Sequence, residues 1–284
     1  MSQLITSIKE FRDWQREQTV PTVSVFTMGA LHDGHRELIN QANQYVKEKL
    51  AGRGKVVVSI FVNPTQFNNL ADLEKYPRNL NVDLAVCTQA GVDVVFAPSA
   101  TDMYPTGQTQ ITITQPPMAQ ELEGQSRLGH FVGMLTVVNK LLNITKPIAT
   151  FFGEKDFQQL VLVKLMVTDL NIDVEVIGVP TVRDEDGLAL SSRNQRLTTE
   201  QRQLASQIPA TLSLLKHSIA EGHNLTKAKE LCLEYLANFP DLKLDYLELR
   251  NLKLDKPSEQ ESVRALIAVQ IGEIRLIDNM TVKD

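Results

Sequence analysis

The stretch KVVVSIFV, residues Lys55–Val62, is almost entirely apolar and rich in β-branched side chains. A strand in a sheet that is covered by helices on both faces has this composition, because neither face meets water. Similar, shorter stretches are Thr22–Thr27 (TVSVFT), Asp93–Ala97 (DVVFA), Pro147–Phe152 and Val174–Val179. We therefore predict a sheet whose strands are buried on both sides.

Amphipathic segments separate these strands. The spacing of apolar residues predicts helices over Glu37–Leu50, Asn79–Ala90, Val132–Ile144 and Phe157–Leu170. Strands that alternate with helices pair in parallel, so we predict an α/β fold built on a Rossmann-like parallel sheet. Ligands of such sheets bind in the loops that follow the carboxyl ends of the strands. We expect the functional residues in those loops.

The pattern changes after Pro180. Helical and then strand-like segments follow in the order Thr199–Glu221, Leu225–Asn238, Leu242–Arg250, Val263–Ile271 and Ile274–Asp278. Helices followed by consecutive strands are typical of a separate α+β domain. We therefore predict a Rossmann-like domain over residues 1–180 and a smaller α+β C-terminal domain over residues 181–284.

Composition excludes several classes of protein. The 284 residues include 29 Lys and Arg against 34 Asp and Glu, and 43% are hydrophobic, which is typical of a globular chain and not of a disordered one. The net charge of −5 argues against nucleic acid as a partner, because nucleic-acid binding needs a basic surface. The two cysteines, Cys87 and Cys232, have neither disulfide nor metal spacing. The longest apolar run is far shorter than the roughly 20 residues that span a bilayer. We therefore expect a cytoplasmic protein without a membrane partner.

The first chemical motif is TMGALHDGH, residues Thr27–His35, at a predicted strand-to-helix junction. Free backbone N–H groups and the positive helix end attract phosphate at such a junction. His32 and His35 are three residues apart, so they lie on one face of the helix, where the positive end favours neutral imidazoles. A simple helix-capping turn and a zinc site are the alternatives, although no third zinc ligand has suitable spacing.

Four further motifs carry polar groups. FGEKDFQQL (Phe152–Leu160) offers a lysine for phosphate and an amide at Gln159, although a well-capped surface helix has a similar pattern. DGLALSSRN (Asp186–Asn194) offers hydroxyls and a guanidinium that can clamp a triphosphate, or else forms a linker. FVNPTQF (Phe61–Phe67) delivers two amides, or a simple Asn-Pro turn. Arg127 and His130 form a second possible phosphate clamp, or part of an ordinary surface loop.

The motifs resemble known families. HDGH is similar to the HxGH motif of the nucleotidyltransferase superfamily that includes class I aminoacyl-tRNA synthetases, and LALSSRN is similar to its KMSKS loop. The ordered set HDGH, FVNPTQF, FGEKDFQQL and LALSSRN resembles the pantothenate synthetase family over nearly the whole chain, from about Val23 to Asp278. Phe26 and Leu128 stand where that family usually has proline, and the segment around Asn79–Asp83 is less acidic than is common.

The resemblance implies an activity. It is the ATP-dependent condensation of (R)-pantoate with β-alanine to pantothenate, through a pantoyl adenylate, with release of AMP and pyrophosphate. The resemblance also implies a homodimer, Mg²⁺ carried on the ATP phosphates and a C-terminal domain that acts as a lid. No protein metal ligand is assigned.

The resemblance also implies roles for individual residues. His35, His32 and Lys155 would be catalytic. The ATP-binding positions would be Met28, Gly29, Ala30, Leu31, His32, Asp33, Gly34, His35, Gly153, Glu154, Lys155, Asp156, Val182 (through its backbone), Leu190, Ser191, Ser192 and Arg193. Gln66 and Gln159 would bind pantoate, and Gln66 with Asn63 would bind β-alanine.

Three other functions stay open from the sequence. One is a different HxGH adenylyltransferase, which would lack the paired amide motifs. Another is a tRNA-binding synthetase fragment, which the acidic composition disfavours. The third is a non-catalytic nucleotide-binding regulator, a class that usually loses a catalytic group, whereas His32, His35, Lys155 and Arg193 are all present.

Overall fold

The computed structural model describes residues 1–67, 73–74, 76–107, 109, 111–258 and 260–284. The chain forms two compact units. Unit 1 contains Met1–Glu154 and Leu162–Val179, and unit 2 contains Lys155–Val161 and Pro180–Asp284.

Unit 1 is built on a six-stranded parallel sheet, which confirms the predicted α/β class. The strands are β1 (Gln3–Ile5), β2 (Thr22–Thr27), β3 (Lys55–Ile60), β4 (Val94–Phe96), β5 (Ala149–Gly153) and β6 (Glu175–Val179). Their order in the sheet is β1-β4-β3-β2-β5-β6. The chain therefore leaves β2 toward one edge and returns to β5 on its other side, which makes the carboxyl ends of β2 and β5 the switch point where α/β sheets bind ligands. The three-residue β1 carried too little pattern to be predicted.

Helices cover the sheet of unit 1. They are α1 (Ile8–Glu17), α2 (Asp33–Lys49), α3 (Leu80–Gln89), α4 (Ala100–Met103), α5 (Glu123–Ser126) and α6 (His130–Thr145), and α7 (Phe157–Asp169) continues from unit 2 into unit 1. One core packs Ile39 and Ala42 of α2 against Val23, Val58 and Phe151 of the sheet. Helix α2 begins four residues before the predicted segment, because His32 caps it.

Unit 2 is an α+β unit, as predicted. Its helices α8 (Thr199–Ala205), α9 (Gln207–Ala220) and α10 (Leu225–Leu236) pack on an antiparallel sheet of β7 (Leu242–Arg250), β8 (Val263–Ile271) and β9 (Ile274–Lys283). The single helix predicted over 199–221 is divided at Ser206. Pro209 explains the division, since it has no N–H for the carbonyl of Ala205 and is tolerated only in the first turn of a new helix.

Thr198 caps α8 by accepting a hydrogen bond from the Gln201 N–H. Among the described residues, no helix combines the length and the apolar character needed to cross a bilayer.

Both cysteines are free and buried. Burial, with a smaller contribution from the charge of Asp83, raises the pKa of Cys87 to about 12. Burial raises the pKa of Cys232 to about 11. Both thiols are therefore protonated at neutral pH and shielded from reagents.

We expect neither thiol to react with Ellman's reagent at pH 8 in the folded protein, because the thiolate is the reactive form and both sulfurs are buried. In guanidinium chloride both should react within the mixing time. The measurement is the absorbance at 412 nm with and without denaturant. Rapid stoichiometric release of the chromophore from the native protein would contradict this burial.

Candidate active site

The loop that follows β2 is held by hydrogen bonds to side chains. Gly29 donates its N–H to Thr27 Oγ1 at 3.2 Å. Ala30 and Leu31 donate theirs to the two carboxylate oxygens of Asp83, at 3.0 and 2.8 Å. The sequence predicted free amides here that would attract phosphate. The structure differs, because the protein itself supplies the acceptors for these amides.

His32 and His35 begin α2 as a reciprocal pair. His32 Nδ1 accepts a hydrogen bond from the Gly34 N–H at 3.1 Å, and His35 Nδ1 accepts one from the His32 N–H at 3.2 Å. Their ring centroids lie 4.1 Å apart. An Nδ1 that accepts carries no proton, so the network places the proton of each neutral imidazole on Nε2. Each ring is thereby set as an Nε2–H donor, which agrees with the neutral donors expected from the sequence.

Gly34 gives the His32 ring its room. A Cβ at position 34 would lie 2.9 Å from His32 Cε1 and 3.1 Å from its Nδ1. Any larger residue would push the imidazole out of its capping position. Gly34 is therefore needed so that the His32 imidazole can cap the helix.

Asn63 and Gln66 follow β3 in a 3₁₀ turn, Pro64–Gln66, and both are buried. Asn63 Nδ2 donates to Gln66 Oε1 at 3.1 Å and to the Gly133 carbonyl at 3.2 Å. Gln66 Nε2 in turn lies 3.0 Å from the sulfur of Met28, a weak acceptor. These contacts orient the Gln66 amide. Its Nε2 group faces the Met28 sulfur, a weak acceptor that a stronger acceptor on a ligand could replace.

Tyr104, His130 and Gly133 support this turn. Tyr104 donates its hydroxyl to Asn63 Oδ1 at 2.7 Å, and burial raises the pKa of Tyr104, so the phenol keeps its proton. A ring nitrogen of His130, Nδ1, lies 3.0 Å from the Gln66 carbonyl oxygen. A Cβ at Gly133 would lie 2.4 Å from the Thr65 carbonyl oxygen, so only glycine lets α6 approach the turn.

These positions correct one interpretation. His130 is only 4% exposed, so it belongs to the support of the amide turn and not to a surface loop. The sequence analysis singled out His130 as a possible phosphate clamp but missed Tyr104, which is also buried.

Gly153 ends β5, and residues Glu154–Asp156 form a 3₁₀ turn after it. Apart from Gly153 itself and its two chain neighbours, no described heavy atom lies within 4 Å of the point where a Cβ of Gly153 would stand. Packing therefore does not require this glycine, and the space beside its backbone is open to the close approach of a ligand.

In unit 2, the lysine of the FGEKDFQQL motif is held through its backbone. The Lys155 carbonyl accepts a hydrogen bond from Asn279 Nδ2 at 2.8 Å, and Lys155 Nζ lies 4.0 Å from Asp156 Oδ2. Gln159 is half-buried in α7, one turn after Lys155.

The segment between Val182 and Leu190 folds back on itself in unit 2. The Val182 carbonyl accepts from the Leu190 N–H at 3.0 Å, and Arg183 pairs with Ala189 through a short antiparallel bridge. The Arg183 guanidinium makes a bidentate pair with Asp278 of β9 at 2.6 and 3.0 Å. The Asp278 side chain is only 1% exposed, so Arg183 compensates a buried charge.

The Ser-Ser-Arg segment follows directly. Ser191 Oγ accepts from the Arg193 N–H at 3.3 Å and caps a 3₁₀ turn, Ser192–Arg196. Arg193 itself is exposed. Arg202 of α8 binds the carboxylates of Asp184 and Asp186, and its hydrogen bond lowers the pKa of Asp186.

Each unit thus carries a defined part of the predicted site. Unit 1 brings together the TMGALHDGH loop, Asn63 and Gln66, and it contains Gly153 and Glu154. Unit 2 contains Lys155, Asp156, Gln159, Val182, Leu190, Ser191, Ser192 and Arg193. In the described parts of the chain, no group of three or more His, Cys, Asp or Glu side chains is placed to hold a metal ion.

Known proteins are similar to this chain in sequence and in fold. The family model for pantoate-beta-alanine ligase matches residues 3–281. A pantothenate synthetase of Mycobacterium avium (strain 104) is 48% identical over 254 residues, which cover 89% of this chain and 80% of that protein. A pantothenate synthetase of Mycolicibacterium smegmatis is 46% identical over 260 residues, 92% of this chain and 80% of that protein.

Solved structures of pantothenate synthetases have a fold similar to that of this chain. The pantothenate synthetase of Thermus thermophilus superposes with a TM-score of 0.91 at 38% identity, covering 99% of this chain and 100% of that one. The pantoate-beta-alanine ligase of Francisella tularensis, solved in complex with beta-gamma ATP and beta-alanine, gives a TM-score of 0.81 at 38% identity and covers 99% and 98% of the two chains. The chain therefore belongs to the pantoate–β-alanine ligase family of enzymes.

Proposed function

We propose that this chain condenses (R)-pantoate with β-alanine at the expense of ATP, and forms pantothenate, AMP and pyrophosphate through a pantoyl adenylate. The observation that carries the proposal is the pair of histidines at the switch point of the sheet, both oriented as Nε2–H donors by their own capping bonds. The identity of the substrates is inferred from membership of the pantoate–β-alanine ligase family.

In the first step a carboxylate oxygen of pantoate attacks the α-phosphorus of ATP, and the bond to pyrophosphate breaks. Negative charge then accumulates on the phosphoryl oxygens. Donors that are already oriented stabilise such charge without reorganisation, and this is usually the largest catalytic contribution. The Nε2–H groups of His32 and His35 take this role, with His35 as the principal donor.

The family resemblance assigns further residues to ATP. Lys155 and Arg193 supply positive charge, and Ser191 and Ser192 supply hydroxyl donors. The backbone hydrogen bond from Asn279 holds Lys155 within unit 2, and the 3₁₀ turn orders the serines. The remaining loop positions Met28–Leu31, Asp33, Gly34, Gly153, Glu154, Asp156, Val182 and Leu190 are assigned to the same nucleotide.

The acid and the amine are assigned to amide side chains. Gln66 and Gln159 bind pantoate, and Gln66 also serves β-alanine. Asn63 has both of its Nδ2 hydrogens and its Oδ1 engaged by the protein, so it acts on the β-alanine side mainly by fixing Gln66. In the second step the β-alanine nitrogen attacks the acyl carbon, AMP leaves and the amine loses a proton. This step mainly requires that the neutral amine is positioned.

Magnesium enters this proposal as a companion of the nucleotide. Mg²⁺ on the ATP phosphates would neutralise part of their charge. Because the described residues offer no group of three metal-binding side chains, no residue of the chain is assigned to the ion. The homodimer, the lid role of the C-terminal domain and the cytoplasmic location stay predictions from the sequence.

The deciding assay is AMP formation from ATP. We expect AMP only when pantoate and β-alanine are both present, because the acyl adenylate is turned over by the amine. AMP is measured by chromatography, with each substrate omitted in turn. A dinucleotide product, AMP formation that requires tRNA, or nucleotide binding without turnover would each contradict the proposal.

Replacement of the principal histidine tests the first step. His35→Ala should lower the rate of pyrophosphate release by roughly 10²–10³, the range for loss of one transition-state donor. The matched control is His217→Ala, since His217 is 71% exposed on α9 and should leave the rate unchanged. A wild-type rate in His35→Ala would remove this histidine from the mechanism.

Replacement of the α7 amide tests the assignment of pantoate. Gln159→Ala should raise the KM for pantoate roughly ten- to hundredfold, as expected for a lost hydrogen bond to a charged ligand. The KM for ATP should change much less. Gln203→Ala, at an exposed position of α8, is the control. Equal changes in the two KM values would contradict the assignment.

A further inference from the structure

Asp83 is a buried carboxylate that binds the loop between β2 and α2 and is not part of that loop. It lies on α3, more than fifty residues from the loop in sequence, and is only 3% exposed. Its Oδ2 accepts from the Ala30 N–H at 3.0 Å and its Oδ1 accepts from the Leu31 N–H at 2.8 Å. Both oxygens are therefore used on two consecutive backbone groups of one loop.

The loop adopts a conformation that needs such support. Gly29 has a φ of +81° and Ala30 has a φ of +52°. Glycine accepts positive φ readily, whereas alanine in this region is strained. Strained residues persist where surrounding contacts over-determine them. The hydrogen bond from the Ala30 N–H to Asp83 Oδ2 acts on this residue directly.

The fit around the carboxylate is close. A Cβ at Gly29 would lie 2.8 Å from Asp83 Oδ2 and 3.2 Å from Ile60 Cγ2. Glycine at position 29 is therefore required twice, by its own φ and by the approach of Asp83. Asp83, Gly29 and Ala30 therefore form one tightly packed cluster.

The cluster of Asp83, Gly29 and Ala30 is connected to the two histidines through the backbone. Leu31 directly precedes His32, the N-cap residue of α2. The position of the Leu31 backbone determines how the chain enters the helix, and the His32 N–H in turn donates to His35 Nδ1. Movement of Leu31 would therefore change the orientation of both imidazoles.

We propose that Asp83 is a positioning residue: its carboxylate holds Ala30 and Leu31 in the strained conformation that aligns His32 and His35 with the α-phosphate of ATP. The proposal rests on the function proposed above. It assigns Asp83 no contact with the nucleotide. A buried anion behind the loop is suited to hold backbone N–H groups and not phosphate.

The test is Asp83→Asn. An asparagine oxygen can accept from one of the two amides, but its NH₂ group faces the other N–H donor, so one bond is lost. We expect kcat for AMP formation to fall roughly ten- to hundredfold, as for a small misplacement of catalytic groups. The KM for ATP should change less, because the histidines act mainly on charge that develops in the transition state.

Asp93→Asn is the matched control. Asp93 Oδ2 also accepts a backbone N–H, from Val56 at 2.8 Å, and its Oδ1 binds Lys55. The chemical change is the same, but Asp93 directly precedes β4 and binds residues at the start of β3. We expect kcat within twofold of the wild type. Equal losses of kcat in the two variants would show a general structural effect and overturn the proposal.

A second substitution separates positioning from stability. Ala30→Gly removes the strain that Asp83 opposes, so the double variant Asp83→Asn/Ala30→Gly should recover part of the lost kcat. Recovery supports the proposal. A double variant no faster than Asp83→Asn, or an Asp83→Asn enzyme with wild-type kcat, overturns it.

Amide hydrogen exchange tests the contact without any assay of activity. In the wild-type protein without ligand, the amides of Ala30 and Leu31 should exchange slowly, and Asp83→Asn should accelerate them while the amide of Val56 is unchanged. Slow exchange in the wild type supports the proposal even if the variant does not fold, and unprotected exchange overturns it. If the wild type forms no AMP from pantoate and β-alanine, the proposed function fails, while this measurement still reports on the contact.

Discussion

The reciprocal capping of α2 by His32 and His35 is the constraint on which the candidate site depends. Helix N-termini leave backbone N–H groups without partners, and here two imidazole nitrogens accept them. A single set of bonds therefore starts the helix, fixes the tautomer of both rings and directs both Nε2–H groups. The structural alternative considered from the sequence, a helix-capping turn, is present, and it is the device that prepares the proposed chemistry.

Two glycines near the candidate site make room for contacts within the protein itself. Gly34 makes room for the His32 ring, and Gly133 lets α6 touch the 3₁₀ turn that carries Asn63 and Gln66. Gly153 differs, because no described atom occupies the space where its Cβ would stand. The three positions show that a glycine in a motif has to be examined against its neighbours before it is assigned to a ligand.

Unit 2 is organised by the polar residues of its last strand. Asp278 binds Arg183, and Asn279 binds the carbonyl of Lys155. One strand thereby orders both the segment that contains Val182 and the turn that contains Lys155. The buried pair of Arg183 and Asp278 is a matched, bidentate pair, which is the arrangement in which burial of two charges is tolerated.

Local sequence patterns were enough to predict the parallel sheet, the α+β character of the C-terminal part and the positions of the motifs, because buried strands, amphipathic helices and strand-end loops are all visible over short stretches of chain. They also predicted neutral donors at His32 and His35. The folded chain was needed to show which amides are already occupied, that His130 and Tyr104 support Asn63 and Gln66, and that Asp83 holds Ala30 and Leu31. These contacts join residues that are distant in sequence, and one buried carboxylate among many acidic residues has no local signal that names its partner.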